Sequence, residues 1–119
     1  MDESLKSNLI VSLTLEFAIE VVKYCEVLEL NKKYVIARQL LRSGTSIGAN
    51  VREAQNAESK IDFIHKMKIA AKEADETEYW LLLCDKSEGF PDCKILLTEC
   101  SSIIRVLSKI IGTSKSKLN

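Results

Sequence analysis

The chain has 119 residues and no net charge at pH 7, with 17 Lys and Arg against 17 Asp and Glu. That length defines one domain with enough interior to fold without disulfide or metal staples. One Pro and four Gly are too few for a turn-rich all-β fold, and no apolar run reaches the 18 or so residues of a membrane span. The start, Met1-Asp2-Glu3-Ser4, lacks the basic n-region of a signal peptide. Cys25, Cys84, Cys93 and Cys100 are scattered, without a C-x-x-C pair. They read as buried thiols of a reducing cytoplasm, not as disulfides or zinc ligands.

The first helix is predicted over 5–30. Ile10, Leu13, Phe17, Val21 and Leu28 form one apolar stripe, and Val11, Leu15, Ile19 and Val22 a second. One buried stripe suffices for a bundle helix. Two describe either a wide core face or a helix that packs inward and also against another chain. Asn31 ends this helix or caps the next, and the second helix is predicted over 32–57. Its segment Ser43-Gly44-Thr45-Ser46-Ile47-Gly48-Ala49-Asn50 is unusually rich in small residues. Such a run reads equally as a loop. The spacing Ala37, Leu40, Gly44, Ile47, Val51, Ala54 keeps helical phase through it, and it contains no Pro. On a helix, Gly44 and Gly48 share a face without side-chain bulk, where a neighbour can pack closely.

Ser59 caps a third helix predicted over 60–87, with Asp62 near the capping-box position. Phe63, Met67, Ala70, Ala74, Thr77, Leu81 and Cys84 are its inner stripe, and Gly89 follows its end. The fourth helix is predicted over 92–111, starting at Pro91 or Asp92. Its stripe is Leu96, Cys100, Ile103, Leu107 and Ile110. Gly112 stops it and 113–119 form a flexible polar tail, so the bundle spans 1–112.

The block Ser46-Ile47-Gly48-Ala49-Asn50-Val51-Arg52-Glu53-Ala54, then Asp62-Phe63-Ile64, Lys72-Glu73-Ala74 and Glu76-Thr77-Glu78-Tyr79-Trp80-Leu81, resembles the four helix bundle protein family. Its members are also called 23S rRNA intervening-sequence proteins. The resemblance runs from about Leu9 to Ile111. Many members carry Pro where this chain has Gly48 and Gly where it has Ala54, which places it in a subgroup. The resemblance implies an all-α, up-down-up-down, left-handed four-helix bundle and assembly into ring-shaped pentamers. It implies little about activity.

Charge is segregated along the chain. Lys32, Lys33, Arg38, Arg42 and Arg52 make the stretch from Leu30 to Arg52 basic without an acid. Glu73 to Asp92 holds seven acids against Lys86 alone. Solvated helix faces explain such runs. So does attraction to phosphates, or a basic face on one subunit meeting an acidic face on the next. Asn50, Glu53, Glu73, Glu76 and Tyr79 share helix faces and make a candidate interhelical polar clasp, since buried carboxylates need partners. The other reading of this set is an acid–base pair or metal site. Asp62-x-x-His65 resembles half of a di-iron site, but His65 is the single His, and Asp62 reads better as helix N-terminal charge.

The expectation is a cytoplasmic, non-enzymatic bundle with no cofactor and no membrane association. It self-assembles and acts as an adaptor, with a protein partner conceivable. The alternative is a nucleic-acid-associated accessory protein, because similar accessory variability determinants bind nucleic acid as basic rings. A metal-binding bundle ranks last.

Overall fold

Periodic apolar positions place four helices along the chain: α1 (Glu3–Leu30), α2 (Tyr34–Ala54), α3 (Lys60–Lys86) and α4 (Lys94–Ser116). The computed structural model describes the backbone of 3–118 and the side chains of 9–118. The expectations that fall on Met1, Asp2 and Asn119 lie outside the described residues. Short connections return the chain on itself, and each helix packs on its neighbour in sequence, with α1 closing on α4. The result is an all-α four-helix bundle, 50 Å long and 21 by 18 Å across. Phe17, Leu28, Leu40, Ile47, Met67, Leu81 and Leu107 fill its axis, each fully buried or nearly so. α1 packs least closely on α4.

Gly44 and Gly48 lie inside one continuous α2, and the loop reading falls. Both face α1. A Cβ on Gly44 would sit 2.8 Å from Cγ1 of Val21, and one on Gly48 would sit 3.3 Å from the carbonyl oxygen of Thr14. Two glycines inside a helix cost about 1 kcal/mol each relative to Ala. Close contact with α1 offsets that cost. Thr14 turns its hydroxyl to the carbonyl of Ile10 at 2.8 Å, so no polar group is stranded at the contact.

Helix ends depart from the sequence expectation in four places. α2 begins at Tyr34, not 32, because Lys32 takes a left-handed conformation (φ 64°). Its N–H reaches the carbonyl of Glu29 at 2.9 Å, and the N–H of Lys33 reaches that of Leu28 at 2.8 Å. This is the Schellman closure of α1, with Lys where Gly is favoured. Lys32→Gly is expected to stabilise the fold by about 0.5–1 kcal/mol by relieving the left-handed conformation, read as a higher urea midpoint. At its other end α2 stops at Ala54, not 57, because Gln55 to Ala57 turn towards Ser59. The Ser59 hydroxyl accepts the Asp62 N–H at 3.0 Å, and the Asp62 carboxylate accepts the Glu58 N–H at 3.1 Å.

α4 begins at Lys94, not at Pro91 or Asp92. The carbonyl of Pro91 accepts the hydroxyl of Tyr24 at 2.7 Å, which ties the connection to α1 before the helix can start. Nor does Gly112 stop α4, which runs on to Ser116. A helical Gly costs about 1 kcal/mol, yet α4 continues, with Ile110 buried before Gly112 and Ser114 buried beyond it, the Ser114 hydroxyl without a hydrogen-bond partner among the described residues. Residues 113–116 are therefore the last turn of α4 and part of the bundle, not a tail.

Candidate functional site

The seam between α2 and α3 carries the densest polar chemistry. Thr77 of α3 and Ser43 of α2 are both fully buried, with their hydroxyls 3.0 Å apart. Thr77 donates to the carbonyl of Glu73 at 2.7 Å. Each hydroxyl has one proton, so Ser43 donates to Thr77. One residue earlier, Arg42 crosses the seam to Glu73 at 3.2 Å and pairs with Glu76. The indole N–H of Trp80 donates to Glu76 at 3.0 Å. That N–H and the Arg42 guanidinium hold the Glu76 carboxyl below the usual glutamate value.

The clasp therefore exists with a different membership. Glu73 and Glu76 belong to it, and Arg42 is the cation they share. Asn50 instead donates to the carbonyl of Ser46 on its own helix at 2.8 Å. Glu53 is exposed. Tyr79 is 59% exposed and meets Trp80 edge-on at 5.2 Å. Ser43 opposes Thr77 in antiparallel helices, so Glu53 lies about 9 Å past Glu73 along the axis. Asn50 stands within one turn of Glu73 in height but gives its amide to its own helix, and Tyr79 faces solvent. Helical spacing reveals faces but not levels. The missed Ser43–Thr77 pair did have a signal: two hydroxyl residues at core-phase positions of facing helices.

A pH titration checks the clasp. The folded-state pKa of Glu76 lies below its ordinary value of 4.5. Its contribution to stability is thus fully present above that pH and is lost as pH falls through the lower folded value. Arg42→Met is expected to flatten this loss, so that its stability curve runs less steeply below pH 4.5 than the wild-type curve. Urea unfolding at successive pH values reads the slope.

The candidate basic residues do not form one patch. Lys32 closes α1. The Lys33 ammonium lies 4.8 Å from the ring centre of Phe90, a cation–π contact. Arg42 is held in the clasp, which also removes it from the expected meeting of a basic α2 with the acidic end of α3 on another chain. Arg38 and Arg52 are exposed and have no ion-pair partner among the described residues.

The flanks of α1 are the other unusual surface. Leu15 is 57% exposed, Ile19 47% and Val22 40%, so these three of the second stripe lie outside the core, while Val11 packs against it. On the α2 side, Val11, Leu15, Ala18, Thr45, Gly48 and Arg52 border a groove of about 190 Å³. On the α4 side, Leu13, Glu16, Phe17, Glu20, Glu99 and Ile103 line a wider groove of about 470 Å³. It continues past Glu20 and Glu99 to Tyr24, Val27, Asp92 and Ile95. Burial, then the nearby Glu20 and Glu16, push the Glu99 carboxyl above its ordinary value.

The thiols are buried, as the stripes suggested. Cys25, Cys93 and Cys100 reach carbonyls of facing helices at 3.3–3.5 Å. Burial pushes Cys25 and Cys100 up to about 12 and Cys84 to about 11, so they stay protonated and unreactive at neutral pH. His65 is exposed on α3, while Asp62 is occupied by Glu58 and by Lys66 at 3.2 Å. Among the described residues, no three His, Cys, Asp or Glu gather in a way that could hold a metal ion.

Four helices packed in chain order around one apolar core define a four-helix-bundle protein. More particularly, the chain belongs to the 23S rRNA-intervening sequence protein family, whose model matches residues 6–109. It is similar to a solved structure described as a protein with unknown function from the S23 ribosomal protein family of Bacteroides thetaiotaomicron. The two share 43% identity and a TM-score of 0.84, over 90% of this chain and 98% of that one. No curated protein matches the chain.

Proposed function

We propose that this chain is a non-enzymatic assembly module of the cytoplasm, which closes into a ring-like homo-oligomer, a pentamer, and serves as an adaptor. The observation that carries this reading is the apolar exposure of α1. Among the described residues, six of the fourteen exposed large hydrophobic side chains belong to it (Leu9, Leu15, Ile19, Val22, Val27, Leu30), and Leu15, Ile19 and Val22 gather on its α2 flank. Exposed apolar surface of this kind marks an interaction site. The protonated, buried thiols fit a reducing compartment, and among the described residues no helix is long and apolar enough to cross a membrane. Size-exclusion chromatography with light scattering at micromolar concentration tests the proposal. The expected mass is about five times the 13.4 kDa of one chain, and a monomer at every concentration refutes it.

A second reading, nucleic-acid association, has one specific observation behind it. Lys68 on α3 lies beside Lys115 on α4 and holds that ammonium below its ordinary value. Two adjacent cations favour a phosphate between them. RNA and DNA titrations from low to high salt test this reading. Affinity that falls steeply with salt supports it, and no binding at low salt removes it.

A further inference from the structure

We propose that the partner of this chain is a second copy whose α1–α2 face, with Arg38 and Arg52, seats in the acidic α1–α4 groove of the first. The proposal rests on the self-assembly reading above and names the two faces that meet.

Three observations carry it. The first is charge. Glu16, Glu20 and Glu99 converge on an apolar floor made by Leu13, Phe17 and Ile103; the exposed Lys23 lies 3.4 Å from Glu20, and at the far end of the groove Lys94 lies 3.9 Å from Asp92. Crowding of those carboxylates is felt at Glu99. Across α1, the other flank presents Leu15, Ile19 and Leu41, all exposed, with Arg38 and Arg52, which have no ion-pair partner among the described residues. Each face lacks what the other offers: one has apolar surface with anions, the other apolar surface with cations.

The second observation is level. The Cys25 thiol reaches the carbonyl of Ala37, so Arg38 stands at the height of Tyr24 and Cys25. Asp92 borders the α1–α4 groove at that same height, beside Tyr24 and Val27. Arg52 stands at the height of Val11, about 7.5 Å along the axis from Glu16, a span that an extended Arg side chain crosses. Two copies side by side without axial shift therefore bring Arg38 to Asp92 and Arg52 to Glu16. The third observation is shape. The two faces are neighbouring sides of the bundle that share α1, and contact between unlike sides is heterologous, so each copy turns from the last and the contacts close into a ring.

Charge reversal and cross-linking test the pairing. Glu16→Arg and Arg52→Glu are both surface changes and should each weaken assembly by about tenfold or more, while circular dichroism stays helical. Glu16→Arg combined with Arg52→Glu should restore assembly. Independently, Thr45→Cys with Ser102→Cys should give a ladder of disulfide-linked multimers under mild oxidation, and either change alone should not. The four native thiols are buried and stay silent. A wild-type oligomer with no ladder and no restoration overturns these faces but leaves self-assembly standing. A monomeric wild type overturns both.

Discussion

Gly44→Leu is expected to destabilise the fold by about 3 kcal/mol, near the upper end of the range for overpacking a core. The Cβ alone would meet Cγ1 of Val21 at 2.8 Å. That neighbour is a β-branched side chain with little rotamer freedom in a helix, so the helices must part. The remaining glycines of the helices make a graded control. Gly48→Ala gains about 1 kcal/mol of helix propensity but presses on the backbone oxygen of Thr14 at 3.3 Å, so its net effect should be near zero. A Cβ on Gly112 meets nothing within 4 Å, so Gly112→Ala should stabilise by about 1 kcal/mol. Urea unfolding of the four proteins should order them Gly112→Ala, wild type with Gly48→Ala, then Gly44→Leu. If Gly44→Leu were as stable as wild type, close α1–α2 contact would not hold this fold together.

Phe17→Ala has the largest expected effect, a loss of about 3–5 kcal/mol. Phe17 is 1% exposed and sits between α1 and α4, the least closely packed pair of neighbouring helices. A chain of this size has on the order of 6–18 kcal/mol in total, and the loss is a large share of it. Differential scanning calorimetry should show a clear fall in Tm. Leu15→Ala removes a similar apolar mass from the exposed flank of the same helix. In dilute solution it should leave unfolding within about 0.5 kcal/mol of wild type. The two variants thus separate the inner face of α1 from its outer one.

The stripes were legible in the sequence because burial obeys helical period. Ile10, Phe17, Val21 and Leu28 went inside as expected, as did Met67, Ala70, Ala74, Thr77 and Leu81 on α3. Ser59 as a cap and the unbroken run through Gly44 and Gly48 follow from local chemistry and phase. What period cannot encode is the height at which antiparallel helices meet. That hides the distance of Glu53 from Glu73 and Glu76, and it hides Arg42 as the cation of the clasp; Tyr79 shares their helix but turns to solvent. Helix ends were also hidden. Gly112 is a stop signal by propensity, but α4 runs through it to Ser116. Lys32 adopts a conformation that its type gives no hint of, because the Schellman bonds to Glu29 and Leu28 require it.

The central claim is that both flanks of α1 are covered when the chain is at work. Sedimentation equilibrium of the wild-type chain over a range of concentrations tests it most directly. The account predicts one closed species, at about five times the mass of a single chain, in equilibrium with free chains and with little between them, as a ring requires. A single species of 13.4 kDa throughout would contradict it.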